Sequence, residues 1–105
     1  RYGVHTDAVQ PGYWVHNLEH GAIVLLYQCD KDCESLVEDI GDVYARLPNG
    51  AFGEVKLLAT PFEHPLDHKF VLIAWTWQES FDQFDADLVE RFYVEFVDRG
   101  PENAP

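Results

Sequence analysis

Three residues in one short stretch of this chain carry side chains that can bind a metal ion or transfer a proton. His16, Glu19 and His20 lie in the sequence His-Asn-Leu-Glu-His, directly before the apolar run 22–27. Two histidines four residues apart lie on one side of a helical turn, so their imidazoles can share one ion. A neighbouring carboxylate can be a further ligand or can orient an imidazole. The stretch therefore predicts a zinc or copper(II) site.

The same stretch also matches His-x-x-Glu-His, the inverted zinc-peptidase signature in which the glutamate activates water. A metal-dependent hydrolase is therefore a further hypothesis. Gly21 and an apolar strand follow the motif at once, which leaves little helix to present two ligands, and 105 residues are few for such a peptidase. These features favour a binding domain over an enzyme.

A second histidine pair has the same spacing. His64 and His68 enclose Asp67 in the sequence His-Pro-Leu-Asp-His. If the two loops meet at one end of a sheet, four imidazoles converge with carboxylates between them, a set that suits zinc or copper(II). The alternative is that His64 and His68 are ordinary residues of a polar loop.

A non-metal function is the alternative for the first motif. In that case His16 or His20 bonds to the backbone and shapes the turn before the strand. The domain would then bind another protein through an exposed aromatic surface, for which large aromatic side chains are suited. The candidate aromatic residues are Tyr13, Trp14, Trp75 and Trp77.

The two cysteines, Cys29 and Cys33, lie at a predicted strand-to-helix junction with three residues between them. This is not the Cys-x-x-Cys spacing of redox motifs. As free thiols they could join a metal site, and when oxidised they could form a small local bridge. The residues themselves leave both possibilities open.

Composition limits the class of partner. The 105 residues suffice for one domain with its own core. Nineteen acidic against seven basic residues give a formal net charge of −12. Such a polyanion repels phosphate backbones, so the sequence predicts no nucleic-acid binding. No apolar run approaches the roughly 20 residues that cross a bilayer.

The sequence predicts five elements in the order strand, helix, strand, strand, helix. Apolar runs predict strands over 22–28, 55–60 and 70–77, and helical periodicity predicts helices whose apolar positions span 36–47 and 88–96. Residues 1–12 are predicted to be an extended lead-in to this single domain, and residues 101–105 a frayed tail.

This order predicts an α/β fold, an α+β sandwich with a three-stranded mixed sheet and helices packed on it. A helix joins the first two strands, so they should lie parallel. The third strand is apolar at both parities, which favours a central position between the other two, antiparallel to both.

Residues 12–27, which contain Val-His-Asn-Leu-Glu-His-Gly before an apolar strand ending in Tyr27, resemble the hallmark of a family of bacterial proteins of unknown function. Ala74-Trp75 and the segment Arg99-Gly100-Pro101-Glu102 also look like the pattern of that family. The resemblance covers most of the chain and points to the same site, His16, Glu19 and His20.

Several expectations come from this resemblance alone. It implies an exported domain, periplasmic or at the cell surface, often tethered by one N-terminal membrane segment outside this chain. Export in turn favours a disulfide between Cys29 and Cys33. The family also carries an upstream Ser-Gly-Pro-His segment that this chain lacks, which leaves His5 as the nearby substitute for a third site histidine.

Overall fold

A mixed sheet of five strands with three helices is formed by residues 2–105, the part of the chain described by this computed structural model. The elements in chain order are β1 (Gly3–Val4), α1 (Pro11–Glu19), β2 (Ile23–Tyr27), α2 (Cys33–Arg46), β3 (Leu57–Pro61), β4 (Phe70–Ala74), β5 (Trp77–Phe81) and α3 (Ala86–Phe96). The α+β class is as predicted, but the sheet has two strands more than the predicted three.

Strand β2 is at the centre of the sheet, whose order is β1-β3-β2-β4-β5. Its five residues are all buried because both faces of the strand are covered. Ile23 and Leu25 pack into the core that contains the apolar positions of α2 and α3. Val24 and Leu26 pack on the other face with Leu18 of α1.

The prediction that the third strand is central was wrong. The predicted parallel orientation of β2 and β3 is confirmed, but the two strands pair directly with each other, and β4 pairs antiparallel with β2 on the opposite side from β3. Strand β4 is buried at alternate positions and half-buried at the others, so its second face is only partly covered. An apolar run at both parities therefore indicated burial without indicating a neighbour.

The strand predicted over 70–77 is two strands of a hairpin. Strand β4 ends at Ala74, and β5 begins at Trp77 and pairs antiparallel with β4. The turn residue Thr76 has a φ of 72°, an uncommon conformation for a β-branched residue. Hairpin turns are normally marked by glycine or asparagine, and neither occurs at Trp75–Thr76, so no residue type signals this turn.

The lead-in predicted over 1–12 contains β1 and the first two residues of α1. Helix α1 starts with Pro11, which is well suited to the first helical position. It buries only Asn17 and Leu18, so it lacks the apolar periodicity that identified the other two helices. Helix α3 is capped by Asp85, whose carboxylate accepts a hydrogen bond from the Leu88 N–H.

Candidate metal site at the end of helix α1

The His-Asn-Leu-Glu-His motif occupies the last turn of α1 and its C-terminal cap, so a helix presents it after all. His16 and Glu19 are helical, and His20 is the cap residue. The ring centroids of His16 and His20 are 4.5 Å apart, as expected for residues one turn apart on the same side. The structure therefore brings the two predicted imidazoles together.

The two imidazoles differ in exposure and in their contacts. The His16 side chain is 60% exposed, and its Nδ1 is 3.7 Å from Glu19 Oε1. The His20 side chain is only 14% exposed. Its Nδ1 is 2.9 Å from the Pro105 carbonyl oxygen, which can only accept, so Nδ1 carries the proton and donates. The His20 Nε2 atom is 3.6 Å from Glu102 Oε1.

The C-terminal segment lies directly on this motif. The backbone N–H of Asp98 donates to the Gly21 carbonyl, and that of Glu102 donates to the Glu19 carbonyl. Gly100 fits against the Glu19 carbonyl and the Gly21 nitrogen so closely that a Cβ atom would overlap them. The tail predicted to fray is therefore held at residues 102, 104 and 105.

A buried lysine lies beneath the motif. The Lys56 side chain is 1% exposed, and its Nζ donates to the carbonyl oxygens of His20 and Ala104 and to Asp98 Oδ1, at 2.6, 2.7 and 2.9 Å. All three ammonium protons thus have acceptors. Sequence reasoning missed Lys56 and Asp98, although a lysine beside the apolar run from Leu57 was a signal that its charge needs a partner.

Asn17, in the middle of the motif, is 1% exposed. Neither its side-chain nitrogen nor its side-chain oxygen has a hydrogen-bond partner among residues 2–105. It lines a cavity of about 260 Å³ together with Val9, Tyr13 and Leu58. Its backbone carbonyl accepts hydrogen bonds from the N–H groups of His20 and Ala22, which close the helix end. The motif therefore has a structural function as well as exposed chemistry.

The two histidine pairs do not converge, so the four-imidazole cluster does not form within residues 2–105. Phe70, which follows His68 closely, pairs with Tyr27 at the carboxyl end of β2, whereas His20 precedes the amino end of β2. The two histidine pairs therefore lie at opposite ends of strand β2. His64 is likewise near the carboxyl end, because its carbonyl accepts from the Gln28 side chain.

His68 instead contacts Asp82, with Nδ1 3.2 Å from Oδ2. The hydrogen bond from His68 and that from the Lys69 N–H lower the pKa of the Asp82 carboxyl. His5 follows β1, and its N–H donates to the Ala59 carbonyl. No group of three or more histidine, cysteine or acidic residues in the described chain is arranged to hold a metal ion.

The candidate aromatic residues differ in exposure and in their contacts. Trp14 packs against Phe62, with ring centroids 6.5 Å apart, and belongs to the smaller core. Trp75 and Trp77 are 37% and 60% exposed on the β4–β5 hairpin, where they line a groove with Leu18. Tyr13 is 68% exposed on α1.

The sulfur atoms of Cys29 and Cys33 are 2.14 Å apart, the distance of a disulfide. The pair joins the end of β2 to the first residue of α2. The disulfide lies beyond the carboxyl end of β2, whereas His20 precedes the amino end of β2, so the cysteines are not part of the motif site.

A family model described as a protein of unknown function (DUF3105) matches residues 1–105. The chain belongs to this family. No curated protein and no solved structure matches the DUF3105 chain. The family description agrees with the resemblance in its coarse form, a family of unknown function, while bacterial origin and export remain predictions. None of the helices in residues 2–105 combines the length and apolar character needed to cross a membrane.

Proposed function

We propose that this DUF3105 domain binds one transition-metal ion, zinc or copper(II), at the end of α1, with His16 and His20 as ligands through Nε2. The observation that carries the proposal is the oxygen atom near each Nδ1: the Pro105 carbonyl accepts the His20 N–H at 2.9 Å, and Glu19 Oε1 lies 3.7 Å from His16 Nδ1, at ion-pair distance. Histidines that bind metals through one ring nitrogen usually donate the other N–H to such an acceptor.

The spacing of the rings suits a shared ion. Two imidazoles bound to one tetrahedral zinc at Zn–N distances of about 2.0 Å have centroids about 5 Å apart. The 4.5 Å between the His16 and His20 rings is close to this value. A small rotation of the exposed His16 side chain would account for the remaining difference in ring separation.

Glu102 would have to change its side-chain rotamer to become a third ligand, since no three histidine, cysteine or acidic side chains are prearranged to hold an ion in residues 2–105; its carboxylate lies 3.6 Å from His20 Nε2 and is half exposed. It also brings negative charge, which favours a divalent cation. Glu19 then orients His16 and is not itself a ligand. Water completes a four-coordinate site of this composition.

Calorimetric titration of the purified, tag-free domain with zinc and, separately, copper(II) tests the proposal. We expect about one equivalent bound, and a loss of affinity of about tenfold or more in His16→Ala. His16 is the informative ligand because its side chain is mostly exposed, so the melting temperature should not change. His64→Ala removes another exposed imidazole and serves as the matched control.

His20→Ala is less informative because His20 also holds Pro105, so its effect must be compared with a melting curve. A domain that takes up neither metal would refute the proposal. Equal affinities of the parent domain and His16→Ala would refute it as well.

A second candidate function, protein binding, is favoured by the exposed hairpin. Trp77 is 60% exposed on β5, an edge strand of the sheet with four exposed residues in five. Exposed aromatic side chains next to an unpaired strand edge are typical of peptide-binding surfaces. Trp77→Ala should leave metal uptake unchanged, whereas it should weaken binding of any peptide that adds to β5.

A further inference from the structure

The Cys29–Cys33 disulfide lies where ligand sites occur in open α/β sheets. Strands β2 and β3 are parallel, and Tyr27 pairs with Pro61 at their carboxyl ends. Ligands in such sheets bind beyond the carboxyl ends of the strands. The disulfide lies just beyond the carboxyl end of β2.

The disulfide also lies at the start of a helix. Cys33 is the first residue of α2, and the side chain of the preceding residue, Asp32, accepts no capping hydrogen bond. The uncapped N–H groups at a helix N-terminus stabilise a thiolate. The carboxylates of Asp32 and Glu34 act in the opposite direction, so the stabilisation of a Cys33 thiolate is moderate.

The two cysteines are not equivalent. Cys29 precedes the helix, and its Sγ is 3.2 Å from the Lys31 carbonyl oxygen. In the reduced protein a Cys29 thiol can donate to that oxygen, which favours its protonated form. Cys33 instead lies at the N-terminus of helix α2. Cys33 is therefore the better nucleophile and Cys29 the better resolving thiol.

A cavity is lined by both cysteines. Its volume is about 440 Å³, its wall is mostly apolar through Tyr27, Val37 and Pro61, and Thr6 and Glu34 complete the lining. The Tyr27 hydroxyl is occupied, since it donates to the His5 carbonyl. The cavity thus offers a bound segment an apolar wall beside the disulfide, and its size suits a large side chain.

We propose that Cys29–Cys33 is a redox-active disulfide that exchanges with a cysteine pair in a polypeptide whose neighbouring apolar side chain enters this cavity. A Cys-x-x-Cys pair near a βαβ unit is typical of dithiol redox sites. The pair here has the same place in the fold, but its spacing is one residue longer than in that motif.

The exchange proceeds in two steps. A thiolate of the partner attacks Cys33 Sγ, the Cys29–Cys33 bond breaks, and Cys29 leaves and takes up a proton. The second thiolate of the partner then attacks the partner sulfur of the mixed disulfide, and Cys33 leaves as a thiolate. Two electrons pass from the partner dithiol to the domain, whose own dithiol is reoxidised by a low-molecular-weight disulfide such as oxidised glutathione.

Equilibration of the domain with glutathione buffers, followed by alkylation and mass spectrometry, gives the first test. We expect reversible interconversion of the disulfide and dithiol forms, with the circular dichroism spectrum unchanged in the dithiol form. If reduction unfolds the domain, the bridge is a structural link and the proposal fails.

Mixed-disulfide formation gives the second test. In Cys29→Ser, the remaining Cys33 should react with a peptide disulfide about tenfold faster at pH 7 than Cys29 does in Cys33→Ser. The reference thiol is Ser80→Cys in a chain without the other cysteines, since Ser80 is exposed on β5 outside any helix. Equal rates for the three thiols would overturn the proposal.

The cavity is tested with Val37→Asn, which places a neutral polar group on its wall. We expect the rate with a peptide disulfide that has leucine next to its cysteine to fall about tenfold relative to the rate with oxidised glutathione. A melting curve verifies that the variant is folded. Equal losses with both reagents would show that the cavity does not bind the partner.

Discussion

At the scale of single residues, Lys56 connects the parts of the candidate metal site. A buried ammonium is tolerated only when its protons have acceptors and its charge has a partner. Lys56 has both, because it contacts two carbonyl oxygens and the Asp98 carboxylate. One of these carbonyls belongs to His20 and the other to Ala104, so the lysine holds the motif and the tail in one place.

Removal of the counter-charge should therefore destabilise the domain. Asp98→Asn keeps the shape of the side chain but leaves a buried cation, and we expect a loss of about 2 kcal/mol in the free energy of unfolding. The loss is below that of a fully buried pair because the Asp98 side chain is one-quarter exposed. Urea unfolding measures it, with the exposed Asp42→Asn as a control that should change stability by less than about 0.5 kcal/mol.

The double variant Lys56→Met/Asp98→Asn completes a double-mutant cycle. Without the Lys56 ammonium, the Asp98 carboxylate has no buried cation to neutralise. The losses in the free energy of unfolding of Lys56→Met and Asp98→Asn should therefore be less than additive by about 1 kcal/mol or more. Additive losses would mean that the two charges do not stabilise each other.

At the scale of elements, the turn between α1 and β2 and the segment after α3 form one unit. Gly21, which ends the turn, has a φ of 89°, and a Cβ atom there would lie 2.7 Å from Asp98 Cα. The backbone of the C-terminal segment can approach only because Gly21 and Gly100 lack side chains. Two of the three segments that carry the family resemblance, residues 12–27 and 99–102, are thus in direct contact.

Gly100→Ala should break this contact. The added methyl group would overlap the backbone of Glu19 and Gly21, so we expect a loss of about 3 kcal/mol and faster removal of the C-terminal residues by carboxypeptidase. Gly41→Ala is the matched control, because nothing lies within 4 Å of the added atom inside α2. That control should gain about 0.5–1 kcal/mol. A Gly100→Ala domain as stable as its parent would contradict the contact.

At the scale of the whole molecule, the buried phenols of Tyr27 and Tyr93 make the stability of the fold depend on pH in the alkaline range. Burial raises the pKa of Tyr27 and Tyr93 above the usual value of about 10. A raised pKa in the folded state means that each contribution to stability is complete below about pH 10. It is lost as the pH rises through the folded-state pKa, because the unfolded chain ionises first.

The stability of the domain should therefore fall as the pH rises above about 10, by no more than about 1.4 kcal/mol per pH unit for each phenol. Tyr27→Phe should reduce the slope of this decrease, measured by urea unfolding across the range. Tyr13→Phe is the control, since the Tyr13 side chain is mostly exposed. Identical slopes for the parent and Tyr27→Phe would contradict the coupling.

The amino-acid sequence was enough to predict the elements whose burial leaves a periodic pattern. Strands β2 and β3, the start of β4 and helices α2 and α3 were predictable because apolar periodicity records which side of a segment is buried. The proximity of His16, Glu19 and His20 was predictable too, because neighbours within one helical turn need no tertiary contact. Helix α1 was missed because it buries too little to show a period.

Which segments and side chains are neighbours became known only from the three-dimensional fold. The order of the strands, the hairpin at Trp75–Thr76 and the separation of His64 and His68 from His20 depend on pairings between distant segments. So do the contacts of Lys56 with the tail and the cavity beside the disulfide. A pattern of burial tells that a side chain is covered, but not by which segment, because many partners of similar shape and polarity satisfy the same pattern.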